Sequence, residues 1–247
     1  MTGTALAIAI SPTVTPHAAA AAGPPNDRDI ALWLIADTDV YQDDGFTTPA
    51  ELENDPVGGW IDQSPNAWEF INAHPHAYRI TSSGIPWIMF TNDPDPAYLE
   101  GSAVSIGAAY SFAMLIRLPT LTPADDIRIL TEAGSGDKQI EMHLTPEIEW
   151  SNDIPYIPSS FTLLSGELTT DFVIVTGKTG ADMYINGELA ATVNEVASNP
   201  WVGIVIGDQA AGTATEIGIA ELIIWQGELS NEDLAAAYSY LATKYGL

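Results

Sequence analysis

The chain of 247 residues has no cysteine, only 7 lysine and arginine side chains, and no long apolar run. The lack of cysteine excludes disulfides, thiolate metal sites and a cysteine nucleophile, so the fold depends on packing. A membrane-spanning helix needs about 20 consecutive apolar residues, whereas the longest apolar segments here alternate as strands do. We therefore expect no membrane partner. A chain of this length can bury a sizeable core.

The scarcity of basic residues leaves the chain strongly acidic. It has 33 Asp and Glu side chains and a formal net charge of -26, spread along its whole length rather than gathered in a tail. An acidic surface repels phosphate backbones, so we expect no nucleic-acid partner. Such a surface suits a protein in salty water, where ions screen its self-repulsion. An acidic proteome without a particular habitat explains the composition equally well.

Two common signatures of enzymes are also missing. No Gly-x-Ser-x-Gly elbow accompanies the 4 histidines, and no glycine-rich loop of the kind that cradles phosphate precedes a helix. Serine-hydrolase and nucleotide-binding functions therefore lose their usual support.

Residues 1–29 differ in composition from the rest of the chain. They are rich in small residues, with alanine at every position of 18–22, and they contain several prolines. A secretory signal needs a basic region before an apolar core of about 7–15 residues, which makes a cleaved signal the weaker alternative here. We expect an extended anchoring arm that binds a partner by strand addition. Its candidate contact residues are Leu6, Ile8, Ile10 and Val14.

After the arm, short apolar segments recur about every 8–12 residues with turn residues between them, which is typical of β-sandwiches. Segments 126–134 and 137–144 are predicted to form one hairpin, and 172–178 and 181–187 a second. The helices that parallel βαβ units would need are missing between the strands. The sequence therefore predicts one all-β domain over 30–247, a two-sheet antiparallel jelly-roll sandwich.

The end of the chain joins a long apolar strand to a short helix. Both faces of the strand are largely apolar, which predicts an interior position in a sheet. Strict alternation would place one set of side chains on the same face: Ile217, Ile219, Glu221, Ile223 and Trp225. Ser230 is a suitable N-cap for a helix over 230–245, and Gly246 offers a left-handed stop. We expect this helix to dock on the finished sandwich.

Several segments together resemble the concanavalin A-like lectin/glucanase superfamily, in its laminin G-like form. They are ALWLIADTDVY (31–41), VGGWIDQSPN (57–66), IPWIMF (85–90), YSFAMLIRL (110–118), FVIVTGKTGADMYINGELA (172–190), GIVIGD (203–208) and the ending at 219–247. The resemblance implies two stacked antiparallel sheets with a concave and a convex face. The arrangement with a small-residue arm also resembles structural proteins of tailed bacteriophages, such as head decorations and tail appendages.

Some enzymes of this superfamily use a Glu-x-Asp-x-x-Glu strand motif, in which two glutamates flank the glycosidic bond. The nearest segment here is Glu147-Ile148-Glu149, followed by Asp153. The central aspartate is replaced by glutamate, and the third carboxylate is out of register. Two solvated glutamates at a sheet edge are the simpler interpretation, so we expect no enzyme.

Calcium and zinc have weak candidates. Asp93 and Asp95 carry oxygen ligands of the kind calcium prefers, as do the pairs at 43–44 and 125–126, but none has the spacing of a calcium loop. The proline between Asp93 and Asp95 favours a simple turn. The two histidines at 74–76 lack a third ligand, so an exposed loop is the commoner explanation. We expect no cofactor, with Ca²⁺ as the alternative.

Tryptophans near turns or strand ends are candidates for stacking on a sugar ring. We name Trp60, Trp87 and Trp150 as these candidates, with burial as the alternative for each. Trp33 and Trp225 lie in apolar strands and are expected in the core. Asp62 is expected to cap a turn or to accept a backbone hydrogen bond.

Two functions from different classes fit these observations. The first is a non-catalytic virion protein, a capsid decoration or tail appendage, attached to coat or tail subunits through 1–29 and expected to form homo-oligomers. The second is a carbohydrate-binding module for host surface glycans, secreted or on a cell surface. A glycoside hydrolase is disfavoured because its carboxylate motif is missing.

Overall fold

A computed structural model describes residues 23–72, 77–91, 97–117, 127–133, 138–142, 147–152, 159–162, 172–179, 182–192, 200–207 and 217–247. The strands are β1 (Ile30–Ile35), β2 (Val40–Tyr41), β3 (Gly59–Ile61), β4 (Glu69–Asn72), β5 (Ala77–Ser82), β6 (Ile85–Phe90), β7 (Leu99–Ile106), β8 (Tyr110–Arg117), β9 (Ile127–Glu132), β10 (Lys138–Met142), β11 (Glu147–Asn152), β12 (Ser159–Thr162), β13 (Phe172–Lys178), β14 (Asp182–Ile185), β15 (Glu188–Thr192), β16 (Trp201–Ile206) and β17 (Ile217–Gln226). A 3-10 turn (Asp27–Asp29) precedes β1, and the helix α1 (Asn231–Tyr245) follows β17.

The strands form two antiparallel sheets. Sheet A has the order β15-β14-β13-β8-β17-β6-β5, with β1 also paired to β17. Sheet B has the order β12-β11-β10-β9-β16-β7-β4-β3-β2. Both hairpins expected from the turn residues are present, β9 with β10 and β13 with β14. The expected all-β, two-sheet antiparallel sandwich with one terminal helix is confirmed for the described residues.

Two apolar layers hold these elements together. The larger lies between the sheets and contains fully buried rings such as Trp60, Phe70 and Phe112. The second lies between sheet A and α1, where Leu234, Ala237 and Leu241 of the helix face the sheet. Sheet A is therefore apolar on both faces, which explains the near-continuous apolar sequence of β8 and β17.

Strand β17 is interior, as expected, but its side chains do not follow strict alternation. Its register against β8 shifts between Ile219 and Glu221, which marks a β-bulge. Ile217 and Ile219 consequently face the space between the sheets, whereas Ile223 and Trp225 face the helix. The expectation that all five side chains from Ile217 to Trp225 share one face is wrong, because the extra residue in the bulge reverses the phase.

The described part of the predicted arm lies against the domain. Pro24 is buried, and the Trp225 Nε1–H donates a hydrogen bond of 2.8 Å to the Pro25 carbonyl. Pro24 and Pro25 thus pack on the sandwich. Residues 1–22, which include Leu6, Ile8, Ile10 and Val14, lie outside the described residues. The extended arm therefore stays a prediction for them.

The helix begins and ends where the sequence indicates. The Ser230 side chain accepts a hydrogen bond of 3.1 Å from the Asp233 backbone N–H. Gly246 is left-handed at φ 70° and closes the C-terminus through its backbone N–H to the Ala242 carbonyl. In the part of the chain that the structure describes, no helix has the length and apolar character to span a membrane.

Candidate functional site

The C-terminal half of α1 is fixed to sheet A by a buried carboxylate. Glu221 is 0% exposed, yet its two oxygens accept hydrogen bonds from four donors. The donors are Trp33 Nε1 at 2.7 Å, Tyr240 Oη at 2.9 Å, Tyr245 Oη at 2.7 Å and Lys244 Nζ at 2.7 Å. A buried charge is tolerated when it is paired and hydrogen-bonded in this way. We call these five residues the Glu221 cluster.

The Glu221 cluster is largely buried: the Glu221 side chain is 0% exposed and the Lys244 side chain 23% exposed. Burial, and then the negative charge of Glu221, raise the pKa of both Tyr240 and Tyr245 far above the ordinary value. Lys244 Nζ also lies 5.6 Å and 5.2 Å from the centroids of these two rings. Every polar group in the cluster is occupied by another member, so its role is to hold the helix.

The N-terminal half of α1 meets the sheet differently. A cleft of about 250 Å³ opens between this half of the helix and the β14–β15 hairpin. We call it the helix–hairpin cleft. Its lining residues are Thr176, Tyr184, Asn186, Gly187, Glu188, Asn231, Leu234, Ala235, Tyr238 and Ser239.

The hairpin turn shapes one wall of the cleft. Asn186 and Gly187 have φ angles of 49° and 82°, as the two central residues of a type I′ turn require. The Asn186 side-chain oxygen also accepts a 3.0 Å hydrogen bond from the Ile174 backbone N–H, which ties the turn to β13. A Cβ added at Gly187 would lie 3.1 Å from Tyr238 Cε1, so glycine lets the turn approach the helix ring closely.

The floor and the opposite wall carry aromatic and polar groups. Tyr184 and Tyr238 are half-buried, and the Tyr184 hydroxyl donates a 3.2 Å hydrogen bond to Asp182. Burial, followed by the Asp182 charge, raises the pKa of Tyr184 above its ordinary value. Asn231 accepts a 2.8 Å hydrogen bond from Lys178 Nζ through its side-chain oxygen, and its amide group carries two N–H donors besides.

This combination suits the recognition of a polyhydroxylated ligand better than a chemical reaction. Tyrosine rings offer flat faces, while an exposed carboxylate, Glu188, and an exposed amide, Asn231, offer acceptors and donors at the rim. Glycoside hydrolysis needs two carboxyl groups on either side of the bond. Among the described residues that line the cleft, Glu188 alone has a carboxylate, so the pair of carboxyl groups that hydrolysis needs is not found there.

Two of the tryptophans expected to stack on a sugar are in the core. Trp60 is 0% exposed and donates from Nε1 to the Ile35 carbonyl at 3.0 Å. Trp87 is 2% exposed, and a Cβ on Gly218 would overlap its ring, so the glycine provides the space that the ring fills. Neither ring presents a face to a ligand, and the stacking prediction is wrong for both.

Other candidates fall outside what the structure describes. These are Asp93, Asp95, the histidines at 74–76, the pair at 125–126, and the side chains of Trp150, Glu147 and Glu149. In backbone register, Trp150 pairs with Ile140 and Ser159, and Glu149 pairs with Glu141 and Ser160. The stacking role of Trp150 and the calcium role of Asp93 and Asp95 stay predictions.

Asp62 and Asp43, two of the described aspartates that the sequence singled out, accept backbone hydrogen bonds. Asp62 accepts hydrogen bonds from the backbone N–H groups of Trp33 and Ser64 at 2.7 and 2.8 Å, as expected. The Asp43 carboxylate accepts hydrogen bonds that lower its pKa, the largest effect coming from the Thr47 backbone N–H. These bonds close the loop after β2. No group of three or more potential metal ligands occurs among the described residues.

Sequence reasoning did not find the helix–hairpin cleft. Its residues were placed only in a predicted hairpin, 172–178 with 181–187, and in the predicted helix over 230–245. No local pattern indicates that these two elements meet. Their proximity follows from the topology of sheet A.

Comparison with known proteins places the fold in context. No family model and no curated protein sequence matches the chain. Solved structures are similar, among them the binding domain of botulinum neurotoxin DC in complex with rat synaptotagmin II, with a TM-score of 0.64, 13% identity, and coverage of 87% of this chain and 52% of that chain. The binding domain of Paraclostridial Mosquitocidal Protein 1 gives 0.63, 12%, 87% and 53%.

A third similar structure is of botulinum neurotoxin type C, described as depending on two ganglioside molecules to enter cells. Its TM-score is 0.61 at 14% identity, with 87% of this chain and 52% of that chain covered. This chain therefore spans about half the length of the chains it matches. At such identities the likeness shows the fold alone. Fold and comparisons together define the class of the chain as a two-sheet antiparallel β-sandwich.

Proposed function

We propose that this chain is a non-catalytic binding module that holds a carbohydrate in the helix–hairpin cleft. One observation carries the proposal: Tyr184 and Tyr238 line a cleft whose rim bears the exposed polar side chains of Asn231 and Glu188. Sugar rings present C–H faces that pack on aromatic rings and hydroxyls that bind amides and carboxylates. Binding sites in which flat apolar surface is combined with a few polar groups follow this pattern.

The similar structures support the carbohydrate more than other ligands. One of them is of a toxin that depends on gangliosides, which are glycolipids, and another is of a binding domain in complex with SialylT. A protein ligand has the complex with rat synaptotagmin II in its favour. The small volume of the cleft, about 250 Å³, favours one or two sugar rings over a protein segment.

The proposal is tested by a pair of helix variants. Ala235 lines the cleft and Ala236 does not, although both are exposed on the same helix turn. Ala235→Gln should fill the cleft and weaken binding on a glycan array at least about tenfold, whereas Ala236→Gln should leave binding unchanged. Equal binding by both variants would refute the proposed site. A blank array for the parent protein would refute the proposed function.

We also propose an attachment role for residues 1–22, as in a virion structural protein joined to coat or tail subunits. Its support is the apolar, uncharged character of 5–10 and the fixation of Pro25 to Trp225 at the start of the domain. Deletion of 1–22 should leave a folded sandwich that no longer joins its particle. Deletion of 1–29 is a poorer test, because it also removes the packed Pro24 and Pro25. Normal incorporation of the shorter chain would rule the role out.

A further inference from the structure

The charges around the helix–hairpin cleft are predominantly negative. The exposed Glu188 carboxylate lies on its rim, and the first turn of α1 carries Glu232 and Asp233. The negative charges of these two acids offset the positive end of the helix dipole. The whole chain has a formal net charge of -26.

One cation beside the cleft, Lys178, offsets part of this charge but is outnumbered by Glu188, Glu232 and Asp233. Lys178 Nζ donates to the Leu229 carbonyl at 3.1 Å and to the Asn231 side-chain oxygen at 2.8 Å. Its ammonium group thus links β13 to the start of the helix. Lys178 is also absent from the residues that line the cleft.

We propose that the helix–hairpin cleft selects sugars by charge, taking amino sugars and neutral hexoses and rejecting uronic acids. The inference rests on the carbohydrate function proposed above and adds the ligand class. A protonated sugar amine can pair with the Glu188 carboxylate, and a cation near a tyrosine ring gains a further attraction. A sugar carboxylate at the same place faces Glu188 as a like charge.

The charge of Glu188 predicts an order of affinities. A hexosamine pairs with Glu188 through a charge-assisted hydrogen bond, a neutral hexose through an ordinary hydroxyl, and a hexuronic acid meets repulsion. A unit charge on the sugar, a few ångströms from Glu188 and near the protein surface, should change the affinity about tenfold. We expect a change of this size both from the amine to the hydroxyl and from the hydroxyl to the carboxylate. The differences in affinity among the three sugars should become smaller at high salt, because Glu188 and the charged sugar group are partly exposed to solvent and ions screen their interaction.

The experiment uses three sugars that differ in charge on the same ring. The methyl glycosides of glucosamine, glucose and glucuronic acid, and the matching galactose series, are titrated into the full chain at about pH 6, where a sugar amine is protonated. Ligand-observed NMR gives the relative affinities. In at least one series, the amino sugar should bind about tenfold more tightly than the neutral sugar, and the uronic acid most weakly.

Matched variants assign the effect to one carboxylate. Glu188→Gln should bring the three affinities in a series within about threefold of one another, whereas Glu228→Gln, the same charge change at an exposed residue that does not line the cleft, should preserve the order. A uronic acid that binds as well as the amino sugar, or an order unaffected by Glu188→Gln, would overturn the charge selection and leave the carbohydrate function standing. Absence of binding by every sugar in both series would overturn the carbohydrate function together with this inference.

Discussion

The two halves of helix α1 meet sheet A in contrasting ways. At the C-terminal half, Glu221 is enclosed by Trp33, Tyr240, Lys244 and Tyr245, and each polar group is satisfied within the protein. At the N-terminal half, tyrosine, amide and carboxylate groups surround an open cleft. Similar residue types thus serve stability at one end and are available for binding at the other. The difference is burial: enclosed polar groups must find partners in the protein, while exposed ones can exchange water for a ligand.

The largest expected effect comes from breaking the Glu221 cluster. Glu221→Ala removes the common acceptor of four donors and should lower the free energy of unfolding by about 3–5 kcal/mol. Urea unfolding followed by tryptophan fluorescence measures the change. Glu228→Ala is the matched control at an exposed site and should shift stability by less than about 0.5 kcal/mol. Equal midpoints for the two variants would show that the cluster does not hold the helix.

The second prediction concerns alkaline pH. Burial and Glu221 raise the pKa values of Tyr240 and Tyr245 in the folded state above the ordinary 10.0. Above that pH the unfolded chain binds fewer protons than the folded protein, so stability falls as pH rises, whereas below it this contribution is fully present. The double variant with Tyr240→Phe and Tyr245→Phe should lose stability less steeply between about pH 9 and 11. Parallel stability curves for the two proteins would contradict the assignment.

A smaller effect is expected at the helix cap. Ser230 accepts the Asp233 backbone N–H at the entrance to the N-terminal half of the helix. Ser230→Ala should cost about 1 kcal/mol, as loss of an N-cap usually does. Thermal unfolding by circular dichroism gives the value, and Ser230→Asp, which keeps an acceptor, is the control. A loss as large in Ser230→Asp would mean that the cap hydrogen bond is not responsible.

The smallest effect on stability is expected where the effect on binding is greatest. Ala235 is exposed and helical, so Ala235→Gln should change the free energy of unfolding by less than about 0.5 kcal/mol while it blocks the cleft. Together with Glu221→Ala, this variant separates the two halves of the helix. A marked loss of stability on chemical unfolding would show that the cleft wall is structural.

Much of the fold could be predicted from local sequence. Turn residues set the hairpins, and Ser230 and Gly246 set the ends of the helix, because these signals act over a few residues. The bulge in β17 left no such signal, since both faces of the strand are apolar and either phase fits the sequence. The burial of Trp60 and Trp87 depends on the Ile35 carbonyl and on Gly218, which come from other strands. The cleft was missed for the same reason, because it joins a hairpin to a helix that is remote in sequence.

The most direct test of carbohydrate binding in the helix–hairpin cleft is to locate the bound sugar. Amide chemical-shift mapping of the ¹⁵N-labelled protein, titrated with the methyl glycoside that binds most tightly, reports the contact surface. We expect the largest shifts in 184–188 and 231–239, at the two walls of the helix–hairpin cleft. Shifts concentrated instead on the outer face of sheet B, in β4, β7 and β16, would place binding elsewhere and contradict the proposed site.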